Sequence, residues 1–336
     1  WINEKEGPDV LYWQGGQRLF DLAKNGAFVD LSEDWNTRKL DQYFKITKSV
    51  VSRNEKSFGI PFSYDNWGFF YNKELLDSHK LTPPANWKEF LSVCETLKSK
   101  GIYPLATGDQ DKWLALAWFD FINLRVNGLE FHQSLMQGQV SYNSPQIRTV
   151  LEHWKGLIDA NYFHPESKSL TINQSLPYLF HKKTGMYLLS NISARLIPGS
   201  IQNKIGFFPF PEINSLHRRF EIAPTDVFVI PQHGTNLEKS RKLLMYLANS
   251  KIQSAINKGT GAVPANESAI ADANKFTQKG LSTLRSSQGV SQYFDRDNNY
   301  QMAEAGTAIF HHFMQTANIE ETIIQLEKAR IISYKR

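Results

Sequence analysis

The chain has 336 residues, 41% hydrophobic and 21% charged, the balance of a folded protein too long for one ordinary core and long enough for two lobes. No run approaches the roughly 20 apolar residues that span a bilayer. The formal charge of +5 is spread thinly, with His181-Lys182-Lys183, His217-Arg218-Arg219 and Lys335-Arg336 as its basic clusters, so these read as solvated charge and no nucleic-acid partner is expected.

The chain opens at Trp1 without an initiator Met or a signal-peptide pattern, so it is expected to start downstream of the true start. In GPDVLYWQGGQRLFDLAKNGAFVDL (7–31) an apolar strand ends on Tyr12 and Trp13, meets Gly15 and Gly16, and passes into an amphipathic helix. Such a turn serves as a phosphate cradle, a plain tight turn or the rim of a ligand cleft. SFGIPFSYDNWGFFYNKELLDSHKL (57–81) reads as an extended stretch broken by Pro61, then a short helix. Pro83 and Pro84 precede a helix from about Trp87 to Gly101, ending Lys-Ser-Lys-Gly as its dipole and cap favour. The single cysteine, Cys94, shares a helical face with Phe90, Leu91 and Leu97, so it reads as a core residue and says nothing about redox compartment.

Apolar residues at helical spacing mark 113–128 and 147–163 as buried helices. TGMYLLS, IGFFPFP and DVFVIPQ are short strand candidates. A helical pair follows up to Gly259, then a polar region from about Asn266 to Asn299, then two amphipathic helices. No repeat or low-complexity segment is visible, and strands alternating with helices argue for an α/β protein.

Catalytic constellations are poorly supported. GxSxG, HExxH and Walker patterns are missing. His311 and His312 are adjacent on a helix and diverge by about 100°, so the two alone do not chelate one ion. TGDQDKW (107–113) contains Asp109 and Asp111 without the spacing or terminal Glu of a calcium loop. Asp65 and Asp226 would suit a glycosidase carboxylate pair but have an equally plain binding use. QGGQ is not GxGxxG, and Trp13 would crowd a pyrophosphate. No cofactor and no metal are expected.

What remains is aromatics beside planar polar groups at strand ends: Trp13-Gln14, Tyr64-Asp65-Asn66-Trp67, Asp111-Lys112-Trp113 and Thr225-Asp226. A pyranose has an apolar C–H face ringed by hydroxyls. An indole or phenol stacks on the first while Asp, Asn, Gln or Arg bonds the second. The combination suits a sugar.

The pieces, in order, resemble the extracellular solute-binding proteins of ABC sugar importers, the maltose-binding-like family. GPDVLYWQGGQRLFDLAKNGAFVDL resembles its PDV strand, turn and helix, and IPFSYDNWGFFYNKELLDSHKL its crossover strand. PPANWKEFLSVCETLKSKGIYPLA, KTGMYLLSNISAR and IGFFPFPEI resemble the segments that follow. PTDVFVIPQHGTNLEKSRKLLMYLANSKIQ is similar to the return strand and its helices, and IEETIIQLEKAR to the last helix.

The resemblance implies an α/β, two-lobed periplasmic-binding-protein fold (type II), with mixed sheets flanked by helices and a ligand cleft at the hinge. Lobe 1 is expected to comprise 1–63 plus 226–263, lacking its usual first strand, helix and strand. Lobe 2 is expected to comprise 66–222 plus 266–336, with crossings near 64–65, 223–226 and 263–266. Carried over position by position, the implied ligand contacts are Trp13, Gln14, Tyr64, Asp65, Trp67, Asp111, Trp113, Asn191, Arg195, Asp226, Phe294 and Asp295. Where many relatives carry a tryptophan after the SNISAR strand, this chain has Ile192, Ser193 and Arg195, so that stacking platform is expected to be missing. The implied function is capture of a carbohydrate, expected to be an oligosaccharide, for an ABC transporter membrane permease. The protein is then a monomer, not an enzyme, and periplasmic or extracellular and membrane-tethered. The alternative use of the same fold is the sensor domain of a transmembrane signalling receptor.

Overall fold

The computed structural model describes residues 7–217 and 219–335. The readings that fall on residues 1–6, Arg218 and Arg336 lie outside them. The chain opens with β1 (Leu11–Gln14), α1 (Gln17–Lys24) and α2 (Ser32–Thr37), then a small hairpin of β2 (Ser52–Arg53) and β3 (Lys56–Ser57), then β4 (Ile60–Tyr64). The turn into α1 needs its glycines for steric reasons. Gly16 has φ of 93°, and a Cβ there would come 2.6 Å from an Asp297 carboxylate oxygen. The Gly15 and Gly16 N–H groups are taken by the carbonyls of Thr225 and Val50 at 2.9 and 2.8 Å, so this turn is not a phosphate cradle.

Two residues after β4 the chain enters β5 (Trp67–Asn72), α3 (Lys73–Ser78), α4 (Trp87–Ser99) and β6 (Tyr103–Ala106). Asn86 caps α4 by accepting the Glu89 N–H at 3.0 Å. Next come α5 (Leu114–Met136), α6 (Pro145–Asp159), α7 (Ile172–Phe180), β7 (Thr184–Ser190) and β8 (Ile205–Pro209). α5 runs past the helix read at 113–128 because the chain bends at Gly128, φ 78°, and resumes. The expected buried helices and the three strand candidates are all present.

The chain returns through β9 (Glu221–Ile222) and β10 (Thr225–Val229) to α8 (Leu237–Leu247), α9 (Ser250–Asn257) and β11 (Val263–Pro264). It ends with α10 (Lys275–Ser286), β12 (Val290–Ser291), α11 (Phe294–Asp297), α12 (Tyr300–Thr316) and α13 (Ile319–Ser333). α10 lies in the stretch that reads only as polar. Its buried face is Phe276, Thr277, Gly280, Thr283 and Leu284, a helical spacing made largely of residues too weakly apolar to signal it.

Two four-stranded sheets result. One is antiparallel, in the order β1-β10-β4-β11, and the other is mixed, in the order β6-β7-β5-β8. Each has its own apolar core. Leu19, Phe28, Trp35, Phe44, Val227 and Val229 belong to the first, and Phe69, Phe90, Trp118, Phe121, Trp154 and Phe310 to the second. Cys94 is fully buried in the second core, which pushes its thiol well above the ordinary range. α10 is shared, with Phe276 in the second core and Leu284 in the first.

The segments between the sheets are stitched together. The Asp65 N–H donates to the Pro224 carbonyl at 3.2 Å, and the Ala223 N–H to Ser291 at 2.9 Å. The Gln292 side chain bonds both the Thr225 N–H (2.7 Å) and the Ala223 carbonyl (3.0 Å). These bonds satisfy buried backbone groups where no ladder continues.

Candidate ligand cleft between the two sheets

Where β4 gives way to β5 and β9 to β10, the two sheets face each other across a cavity of about 660 Å³. Gln14, Asp226, Asp65 and Pro224 line it on the side of the first sheet and the crossings. On the other side stand Trp67, Asp111, Trp113, Ser190, Arg195, Tyr293, Asp295 and Arg296, with residues 171–173 at the start of α7.

The second wall is an aromatic cluster. The Trp67 and Trp113 rings lie 5.8 Å apart at 86°, and Tyr293 lies 5.1 Å from Trp67 and 6.1 Å from Trp113. The Tyr293 hydroxyl donates to the Trp113 carbonyl at 3.0 Å, which fixes the cluster. Trp67 is buried as the base, whereas Trp113 is 39% exposed and presents ring surface.

Carboxylates surround this cluster. Asp65 is only 8% exposed. Burial pushes its carboxyl up to about 6, although the Ser190 hydroxyl that donates to it and the Arg296 charge pull the other way. The Asp226 carboxylate lies 3.0 Å from the Arg296 guanidinium. Burial also raises Asp295, opposed by Arg296 and by Arg18, 3.9 Å away. Asp111 accepts the Ile172 N–H at 2.9 Å. Arg195 is exposed at the rim.

Of the residues assigned from sequence, Gln14, Asp65, Trp67, Asp111, Trp113, Arg195, Asp226 and Asp295 therefore meet at one cavity. The other four are placed elsewhere. Trp13 points to the opposite side of β1 and packs on Phe28, 6.2 Å between rings, against the first core. The reason is the pleat: successive side chains alternate faces, so Trp13 cannot share a face with Gln14. Tyr12 does share it. Register pairs Tyr12 with Phe228 and Gln14 with Asp226, and partial burial together with the Asp226 carboxylate raises the Tyr12 phenol above its ordinary range. Tyr12 is 56% exposed and is the aromatic that the first sheet presents beside Asp226.

Tyr64 is likewise turned into the first core by alternation along β4. Phe294 is fully buried in the second core, against Phe119 and Phe310. Asn191 is a clasp: its side chain accepts the Asn66 N–H at 2.8 Å and donates to the Gly261 carbonyl at 2.6 Å. The ligand contacts assigned from sequence did not include Tyr12, Tyr293 or Arg296. Period-2 spacing from Gln14 identifies the first, and the other two flank the Phe294-Asp295 pair. At the SNISAR position Ile192 and Ser193 line the cavity, without an aromatic.

A separate hollow of about 440 Å³ is lined by Pro83, Pro84 and Phe208 with Arg125 and Arg219. Both guanidiniums are engaged by the buried Glu221 carboxylate, at 2.9 and 2.7 Å.

The chain belongs to the bacterial extracellular solute-binding proteins, whose family profile matches residues 2–254. An uncharacterized ABC transporter extracellular-binding protein of Pyrococcus horikoshii is 22% identical over 279 residues, 82% of this chain and 62% of its own length. A second from the same organism is 24% identical over 245 residues, 71% of this chain and 55% of its own. The chain thus spans 62% and 55% of the length of these curated relatives. Among solved structures, the bacterial solute receptor AcbH, described as exclusive for β-D-galactopyranose, superposes with a TM-score of 0.87 at 27% identity, covering 97% of this chain and 84% of that one. A chitin oligosaccharide binding protein superposes with a TM-score of 0.85 at 17% identity, covering 99% and 85%, a likeness of fold. The two-lobed α/β architecture is that of this family. Its members and these neighbours are binding proteins rather than enzymes, which sets aside the hydrolytic use of Asp65 and Asp226.

Proposed function

We propose that the protein captures a carbohydrate, an oligosaccharide in the first instance, in the cleft between its lobes and delivers it to the membrane permease of an ABC transporter. The observation that carries this reading is the facing of two chemistries across one cavity. The Trp67, Trp113 and Tyr293 rings stand on one side, and Gln14 and Asp226 on the other, with Asp65 at the crossing. Stacking surface opposite hydrogen-bond acceptors suits a pyranose. The naming of AcbH and the chitin oligosaccharide protein as saccharide binders agrees with it.

The lobes are taken as 7–63 plus 226–263 and 66–222 plus 266–335, with α10 bridging both, and the crossings as the hinge. A ligand favours the closed form only through contacts with both lobes. Such contacts are available from Gln14 and Asp226 on one lobe and Trp113 on the other. The protein is proposed to act as a monomer outside the cytoplasmic membrane, periplasmic or membrane-tethered. No helix among the described residues is long and apolar enough to cross a membrane. Calorimetric titration with mono- and oligosaccharides tests the reading. Saturable heats that vanish on Trp113→Ala support it, and heats from amino acids or peptides alone contradict it.

A further inference from the structure

The sequence carries the pattern Asp-x-Trp twice, as Asp65-Asn66-Trp67 and Asp111-Lys112-Trp113. The fold brings the two copies together, from the β4–β5 crossing and from the loop before α5, with their indoles 5.8 Å apart and Tyr293 against both. Each copy therefore sets a carboxylate beside the same aromatic cluster. Both carboxylates line the cavity.

Pairing off the charges of the cavity leaves these two over. Asp226 is matched by Arg296 at 3.0 Å and Asp295 by Arg18 at 3.9 Å. Neither Asp65 nor Asp111 makes an ion pair among the described residues, and the hydrogen bonds they accept come from neutral donors, the Ser190 hydroxyl and the Ile172 N–H. Arg296 acts on Asp65 only from beyond ion-pair distance while held by Asp226. Arg195, the remaining cation of the lining, is exposed at the rim, where water screens it. The cleft is thus left with excess negative charge beside its aromatic cluster.

We propose that the saccharide taken by this cleft bears a protonated amine, as in a 2-amino-2-deoxy sugar whose nitrogen is not acetylated. The inference rests on the saccharide reading above and narrows it. An ammonium is attracted by both features at once, the carboxylates by charge-assisted hydrogen bonds and the rings through their faces. Both attractions strengthen as closure expels water and lowers the local dielectric. A hydroxyl in its place supplies only a partial positive charge. An acetylated nitrogen is neutral and its amide N–H likewise offers only a partial positive charge, and a uronate carboxylate meets like charge.

The test is calorimetric titration of the full chain, near neutral pH, with matched gluco- and galacto-configured mono- and disaccharides, each as the free amine, the N-acetyl amine and the plain hydroxyl sugar. The expected result is that an amine form binds roughly tenfold more tightly than its hydroxyl and N-acetyl counterparts. Asp65→Asn and Asp111→Asn each reduce that ratio, while binding of the hydroxyl form changes less and thermal unfolding shows both variants folded. A hydroxyl or acetylated form that binds as tightly as its amine overturns this inference and leaves the saccharide reading standing. Silence from every sugar in the set overturns both.

Discussion

The Arg296 guanidinium sits 3.0 Å from the Asp226 carboxylate, and the two groups belong to opposite sides of the cleft. Arg296 rides on α11, which is anchored in the second core by Phe294 and by a 2.8 Å bond from the Phe294 N–H to Asp120. Asp226 is on β10 of the first sheet. The pair therefore bears on how the lobes sit as well as on what the cleft binds. Both side chains are 19% exposed, between the surface case, worth about 0–1 kcal/mol, and the buried case, where removing one partner costs about 3–5 kcal/mol. Arg296→Ala is accordingly expected to lower stability by about 1–2 kcal/mol in urea unfolding and to weaken sugar binding. An unchanged midpoint shows that the pair does not hold the lobes.

Tyr12 and Trp13, neighbours in sequence, have opposite expectations. Tyr12→Ala removes a half-exposed ring from the cleft side, so affinity falls by about 1 kcal/mol with little change in melting. Trp13→Ala removes packing from Phe28 and the first core, so stability falls by about 2–3 kcal/mol while affinity in the folded fraction holds. Titration and thermal melts on both variants separate the roles. The reverse outcome places Trp13 on the ligand.

That pair also shows how far the sequence carries. Residue order was enough for the class of fold, because strand, turn and helix signals between 7 and 264 follow local rules of spacing and capping. It was enough for the cavity at every assigned polar residue but Asn191, namely Gln14, Asp65, Asp111, Arg195, Asp226 and Asp295, since such groups at strand and loop ends are rarely turned inward. The aromatics divided. Trp67 and Trp113 line the cleft, while Trp13, Tyr64 and Phe294 fill cores, because a large apolar ring serves either side and only the pleat or the helix turn decides. Assigning Trp13 and Gln14 to one site was already inconsistent with a two-residue period. Asn191 was not legible as a clasp, since its partners Asn66 and Gly261 are brought to it only by the fold.

The clasp has its own consequence. Asn191→Ala deprives the buried Asn66 N–H of its side-chain partner and leaves the Gly261 carbonyl with the Thr277 hydroxyl at 3.3 Å, at a cost of about 1–3 kcal/mol. Urea unfolding measures this. A loss below about half a kcal/mol shows that water replaces both bonds.

Asp65 gives stability and binding opposite dependences on pH. Its carboxyl is raised from 3.8 to about 6 in the fold, so the native state keeps a proton that the unfolded chain releases. The resulting stabilisation is present below the unfolded value and is lost as pH rises through about 6, a difference on the order of 3 kcal/mol. Ligand donors bond the ionised form more strongly, so affinity falls as pH drops below about 6, by at most about tenfold per unit. Asp65→Asn is expected to flatten both profiles, measured by melts and titrations across that range. A wild-type affinity that holds constant down to pH 4 shows that Asp65 does not bond the ligand.

The central claim is that the cleft between the sheets binds a saccharide. It is tested most directly by thermal unfolding of the intact chain against a panel of neutral, amino and acidic saccharides, with amino acids and peptides as controls. A ligand at about 100 times its dissociation constant adds about 2.7 kcal/mol. The account predicts a raised melting temperature with at least one saccharide, abolished or strongly reduced by Trp113→Ala. A shift produced by amino acids or peptides and by no saccharide contradicts it.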